Sequence, residues 1–314
     1  MKAGRPRVLL YGAGVLGCLL RHALLQGGNG FYAGAHGSAW WTSGGWSYAI
    51  GDGCAPPRRA CPPSYRLLQG INGDVVFVAV RFKQIANVLE ALAKNCSRHV
   101  VFVGNNPAAG AARSALRALS NAPREVAFGF QSSGGRREKE SVVGIYARLG
   151  MTVGAAHGEM RAEMRALLER LFAGARYRLH FQRDMDAYLK CHAALILPVA
   201  CAVYRCGGDL RRCRKDDRRT VIRATLEGYA VLRAQETPIL PPEDEKFYRD
   251  RPWAASAWLW FLIKTPLGRM AVSKHAMNAP EEMRAIGEAF AAIKARADVH
   301  TSAWDGLTPY LKRV

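Results

Sequence analysis

The chain has 314 residues, which is long for one hydrophobic core and suits two domains. Hydrophobic residues make up 49% and charged residues 22%, the balance of a globular protein rather than a disordered one. The formal net charge of +20 biases it toward polyanions or phosphorylated small molecules. That charge is scattered, and no nucleic-acid recognition motif accompanies it, so nucleic acid is not the expected partner.

In chain order, "RVLLYGAGVLGCLLRHALL" reads as strand, glycine turn and helix, and "FYAGA" follows as a second strand. The stretch 37–65 is rich in Gly, Pro and Trp and reads as an irregular insertion over a cofactor site. "DVVFVAV" at 74–80 is a buried β-branched strand, followed by the helix "KQIANVLEALAKN". "HVVFVGNN" and "PAAGAARSALRALS" repeat the strand–helix unit, and "REVAFGF" adds a strand. Strands alternating with helices predict βαβ units and a parallel sheet. "SVVGIYARLGMTVG" predicts a late hairpin, "EMRAEMRALLERLFAG" a helix, and "RYRLHF" a last edge strand. After Phe181 the pattern turns helical, with helices expected over 184–206, 217–235, 254–264 and 280–296. The expected architecture is an α/β domain with a Rossmann-type parallel sheet over 1–180 and an all-α domain over 181–314.

Eight cysteines are present, at 18, 54, 61, 96, 191, 201, 206 and 213, and none forms a Cys-x-x-Cys pair. No histidine completes a zinc-like spacing, so no metal is expected. Cysteines within apolar segments point to a reducing, cytoplasmic setting. The longest apolar runs, 194–204 and 253–263, are too short for a bilayer, so no membrane association is expected.

Gly12, Gly14 and Gly17 form Gly-x-Gly-x-x-Gly between a strand and a helix, with Val15 and Leu16 opening the helix. Gly12 permits the tight turn, Gly14 lets a pyrophosphate approach the backbone, and Gly17 lets helix and strand pack closely. The helix N-terminus supplies N–H groups to the phosphates. A carboxylate about 20 residues on would bind the ribose 2′-hydroxyl of NAD. No Asp or Glu occurs before Asp52. NADP is therefore the expected cofactor, with His36 as a candidate contact to its 2′-phosphate.

These segments, with "VVFVGNNPAAG", "REVAFGFQSSGG" and "YLKCHAALILP", resemble the ketopantoate reductase (2-dehydropantoate 2-reductase) family over nearly the whole chain. The resemblance implies NADPH-dependent reduction of a 2-oxo acid in a cleft between a Rossmann and a helical domain. It implies that Lys190 is the catalytic lysine and that Arg81 lies near the cofactor. It puts Asn105 or Asn106 in contact with cofactor and substrate, and gives Glu281 or Glu282 the part of a late anchoring glutamate. Two substrate asparagines of the family are replaced by Ala194 and Pro198, and no serine preceding the late glutamate is evident. The chain thus looks like a divergent member, with a homodimer as a further expectation.

Ketone reduction needs a hydride and a proton, and an ammonium can donate the proton while stabilising negative charge on oxygen. By pattern alone, Lys190 is a lysine whose stem covers apolar surface at a helix start; the resemblance makes it catalytic. His192 is a candidate substrate contact or a core histidine, and Glu282 can equally serve the helix dipole. Trp253, Trp258 and Trp260 read as helix packing or a dimer surface. An alternative reading is a dinucleotide-binding sensor or subunit that has lost the substrate residues.

Overall fold

The computed structural model describes residues 6–12, 14–28, 31–34, 47–49, 73–137, 141–145, 149–265, 273 and 276–312. His36 and most of the segment 37–65 lie outside the described residues. The chain forms two compact units. One comprises Met1–Gly104 and Ala109–Met185, the other Asn105–Ala108 and Asp186–Val314.

The first unit runs β1 (Val8–Tyr11), α1 (Val15–Gln26), β2 (Phe31–Gly34), β3 (Ser47–Ala49), β4 (Val75–Val78), α2 (Ile85–Ala93) and β5 (His99–Val103). It continues through α3 (Ala109–Leu119), β6 (Glu125–Gln131), β7 (Gly134–Arg137), β8 (Ser141–Ile145), β9 (Gly150–Ala155), α4 (Ala162–Phe172) and β10 (Arg178–Phe181). Seven strands form one sheet in the order β10-β9-β6-β5-β4-β1-β2. All neighbours are parallel except β6 and β9. Strands β1, β4 and β5 are buried at every position. This explains their unbroken apolar runs, since helices cover a parallel sheet on both faces.

The hairpin expected between 141–145 and 150–155 does not form. β8 pairs antiparallel with β7 and parallel with β3 in a separate three-stranded sheet. β9 instead runs antiparallel to β6, with Met151 and Val153 buried in the main core. The short β7–β8 connection makes that pairing low in closure entropy, which leaves β9 for the open edge of β6. The expected edge strand is present as β10.

The second unit is built on α5 (Met185–Arg205), followed by α6 (Lys215–Ala234), α7 (Pro242–Asp250), α8 (Pro252–Lys264), α9 (Pro280–Lys294) and α10 (Ser302–Leu307). Helices α5, α6, α8 and α9 meet the predicted spans within about two residues, the usual fraying margin. The mostly polar "PEDEKFYRD" of α7 and the six-residue α10 carried no apolar stripe to announce them. A Cβ on Gly228 would lie 2.8 Å from the Trp304 ring and 3.1 Å from Ala194, so α6 lies close to both α10 and α5. The Glu227 carboxylate caps α10, accepting from the Ala303 and Trp304 N–H groups at 3.2 and 2.8 Å. Phe290 stacks on Trp304 with ring centroids 4.6 Å apart.

α5 is long and apolar enough to cross a membrane, contrary to the reading from its shorter apolar run. Its mean hydropathy is 1.5, yet 67% of that window is buried within the protein. That is the pattern of a central core helix. α5 continues unbroken through Pro198.

Candidate active site

The strand order reverses between β1 and β4, the place where α/β sheets bind ligands beyond the strand ends. There the Ala79 N–H donates to Tyr11 O at 2.7 Å and locks the two strand ends together. Gly12 has φ +112°, and a Cβ on it would lie 2.2 Å from Ala79 O. A Cβ on Gly17 would lie 2.0 Å from Gly12 O. Both glycines are therefore demanded by backbone contact alone. Gly14 differs, because a Cβ there would meet nothing within 4 Å.

Gly14 begins α1 without a side-chain cap, and the first turn holds no acidic residue. The N–H groups of Val15, Leu16 and Gly17 have no helical partner by geometry. Val15 and Leu16 pack their side chains against the sheet core, so only their backbone faces the turn. An open cradle at an uncapped helix N-terminus fits a pyrophosphate. Arg81 is exposed at the end of the β4 segment, where its backbone N–H donates to Gln84 Oε1 at 3.1 Å. Among the described residues its guanidinium makes no ion pair.

In the second unit, Asn106 is 2% exposed, and its Oδ1 accepts from the Ala108 N–H at 3.0 Å, turning the chain into α3. Asn106 Nδ2 and Asn105 Oδ1 are buried without a hydrogen-bond partner. Two orphaned amide atoms in one short loop are uncommon in a folded protein and suit a polar ligand.

Lys190 lies on α5 with its side chain 22% exposed. Its ammonium is 2.5 Å from the carboxylate of Asp186, which is 6% exposed. The partners are one helical turn apart, as i,i+4 spacing requires. Asp186 was not singled out in the sequence, although "DAYLK" carries the signal. The helix is regular from Met185, so Lys190 and His192 stand about 200° apart around its axis and leave on opposite sides. His192 is half-buried. Ala194 and Pro198, at the asparagine positions of the resemblance, are buried apolar residues.

At α9, Pro280 occupies the first turn and Glu281 is exposed, while Glu282 is buried. Ser273 is also buried, and its hydroxyl has no hydrogen-bond partner. It precedes Glu282 by nine positions and was not recognised in the sequence, where one serine in "AVSKHAM" carries no motif.

No protein-family model and no curated protein matches the sequence. Solved structures do match. The 2-dehydropantoate 2-reductase of Geobacter metallireducens GS-15 superposes with a TM-score of 0.70 at 17% identity, covering 98% of this chain and 99% of that one. The enzyme of the same name from Methylococcus capsulatus gives 0.71 at 14% identity, covering 98% and 96%. A D-mandelate dehydrogenase solved with NADH and anilino(oxo)acetate gives 0.70 at 12% identity, covering 98% and 97%. The chain has the fold of the ketopantoate reductases.

Proposed function

We propose that the protein is an NADPH-dependent reductase of a 2-oxo acid, acting in the cytoplasm. The observation that carries this reading is the half-buried Lys190 ammonium on a buried carboxylate, in the same unit as two orphaned asparagine amides. The dinucleotide, when bound, supplies the hydride. Gly12, Gly14, Val15, Leu16 and Gly17 would hold its pyrophosphate, with Arg81 near the cofactor and His36 as the candidate contact to the 2′-phosphate. The absence of any acidic residue before Asp52 favours the 2′-phosphate form.

Lys190 donates its proton to the ketone oxygen and stabilises the charge that builds there. Asp186 orients the ammonium. Asn105 and Asn106 position the amide end of the cofactor and the substrate, and Glu282 anchors the substrate. Ser273 is a further candidate for the substrate side. His192, on the far side of α5, is assigned no step. Exposed Trp253, Trp258, Trp260 and Phe261 on α8 support a homodimer. A dimeric ketopantoate reductase from Staphylococcus aureus shares the fold, with a TM-score of 0.67 at 13% identity.

NADPH binding is measured by fluorescence, and turnover by NADPH oxidation against a panel of branched 2-oxo acids. Gly14→Asp should abolish binding. Lys190→Ala should lower kcat by about 100-fold or more with binding intact. Full activity in Lys190→Ala removes the proton-donor role, and no affinity for NADPH or NADH removes the reductase. Ala194 and Pro198 in place of asparagines favour a second reading, a dinucleotide-binding protein without turnover. Tight NADPH binding with no 2-oxo acid reduced would select it.

A further inference from the structure

The loop joining α5 to α6 brings two cysteines together. α5 ends on Gly207 and Gly208, with φ of +63° and +83°. Their N–H groups donate to Tyr204 O at 3.0 Å and Val203 O at 2.9 Å. Two successive left-handed residues reverse the chain. Asp209 then accepts from the Arg211 N–H at 3.1 Å and starts a short 3-10 turn over Leu210–Arg212. Cys213 returns against the helix end, where its Sγ is 2.7 Å from Cys206 Sγ. Both are free thiols.

Asp217 lies within 4.8 Å of both sulfurs, so a metal ion is one conceivable occupant. Its carboxylate is already engaged. Oδ1 is 3.3 Å from Arg205 Nη1, and Oδ2 accepts from the Arg214 N–H at 2.7 Å. Seven of the fifteen residues 205–219 are Arg or Lys, which repels a divalent cation. Cys213 also lines a cavity with Val199, Ala202, Leu210, Val221 and Leu259. Its volume of about 20 Å³ has room for one water and no organic ligand. The sulfur pair is thus the chemistry left at this site.

We propose that Cys206 and Cys213 are a modification site that closes to a disulfide by exchange with a low-molecular-weight disulfide. Cys213, the less buried of the two, attacks as its thiolate and forms a mixed disulfide, releasing one small thiol. Cys206 then loses its proton to solvent and attacks the Cys213 sulfur, releasing the second small thiol. Two protein thiols are oxidised by two electrons, and one small disulfide is reduced to two thiols. Burial pushes both protein thiols up, so the exchange is slow at neutral pH and accelerates as pH rises. The closed form cross-links the two ends of the α5–α6 loop, at the C-terminal end of the helix that carries Lys190.

The test treats the full chain with oxidised glutathione at mildly alkaline pH, blocks free thiols and digests with trypsin. The expected product is fragment 206–211 cross-linked to fragment 213–214 and separated by dithiothreitol. The melting temperature should rise by about 5 °C in the oxidised form. Recovery of both cysteines as blocked free thiols overturns the proposal, as does a mixed disulfide that never closes. Stoichiometric binding of zinc supplied alone, lost in both Cys206→Ser and Cys213→Ser, replaces it with a metal site. Because the peptide map is read on the wild-type chain, a poorly folding variant leaves the central result intact.

Discussion

In the sheet unit no described carboxylate is buried; the buried polar side chains are Arg21, Asn95, Ser97, His99 and Gln131, and several of them hold turns. Ser97 accepts from the Gly73 N–H at 2.9 Å, Asn95 accepts from the Ser97 N–H at 2.8 Å, and the Tyr177 hydroxyl donates to Gln131 at 2.8 Å. In the helical unit Asp186, Glu245 and Glu282 are buried carboxylates, and Tyr204, Tyr229, Tyr248 and Cys201 share the interior with them. A parallel sheet satisfies its own backbone and asks only for apolar cover. A buried carboxylate costs desolvation that must be offset locally, as Arg233 does for Glu245 and Lys190 for Asp186. The contrast separates a frame that buries no described carboxylate from a unit that buries three.

The largest expected effect tests the frame. Gly12→Ala should cost about 4 kcal/mol, from overpacking against Ala79 O together with backbone strain at positive φ. Gly14→Ala, pointing into open space, should stay within about 0.5 kcal/mol. Urea denaturation of both variants decides whether the fold requires glycine at position 12 and tolerates a side chain at position 14. Equal losses would erase the distinction.

A smaller effect tests the helical unit. Asp186→Asn leaves Lys190 without its carboxylate and should cost about 2 kcal/mol, less than a fully buried pair because Lys190 reaches solvent. The same variant should lower kcat by misorienting the ammonium. Unchanged stability and unchanged turnover together would show that the pair is incidental.

The smallest effect is a pH dependence, to which the helical unit contributes several buried groups and the sheet unit Tyr177, whose phenol is also pushed up by burial. Burial pushes the Tyr204 and Tyr248 phenols up to about 12 from an ordinary 10, and the Cys201 thiol to about 12 from 9. Each is neutral when protonated, and folding favours that form. Their contribution is therefore full below the unfolded values and is lost as pH rises through about 12. Melting temperature followed from pH 9 upward should fall, and Tyr204→Phe should flatten part of the slope.

The sheet was legible because β1, β4 and β5 are buried on both faces, and such strands write themselves as continuous Val, Leu and Phe runs. The glycine turn was legible because backbone contact at Gly12 and Gly17 forbids other residues. The partner of the 150–155 strand was not, because two short β-prone segments say nothing about which sheet edge is open. Helix α7 was missed because it packs little apolar surface. In the candidate site, Lys190 stood out only through resemblance, and its partner Asp186 emerged from helix geometry.

By itself, the sequence determined the alternating strands and helices of the main sheet, the glycine turn and the change to helices after Phe181, since these depend on local periodicity and on residues with unusual backbone freedom. Only the tertiary structure decided that β9 joins β6, that Lys190 meets Asp186, that the amides of Asn105 and Asn106 are buried without partners, and that Cys206 meets Cys213. Each of those depends on which groups lose contact with water together, a property of packing that no single stretch of chain contains.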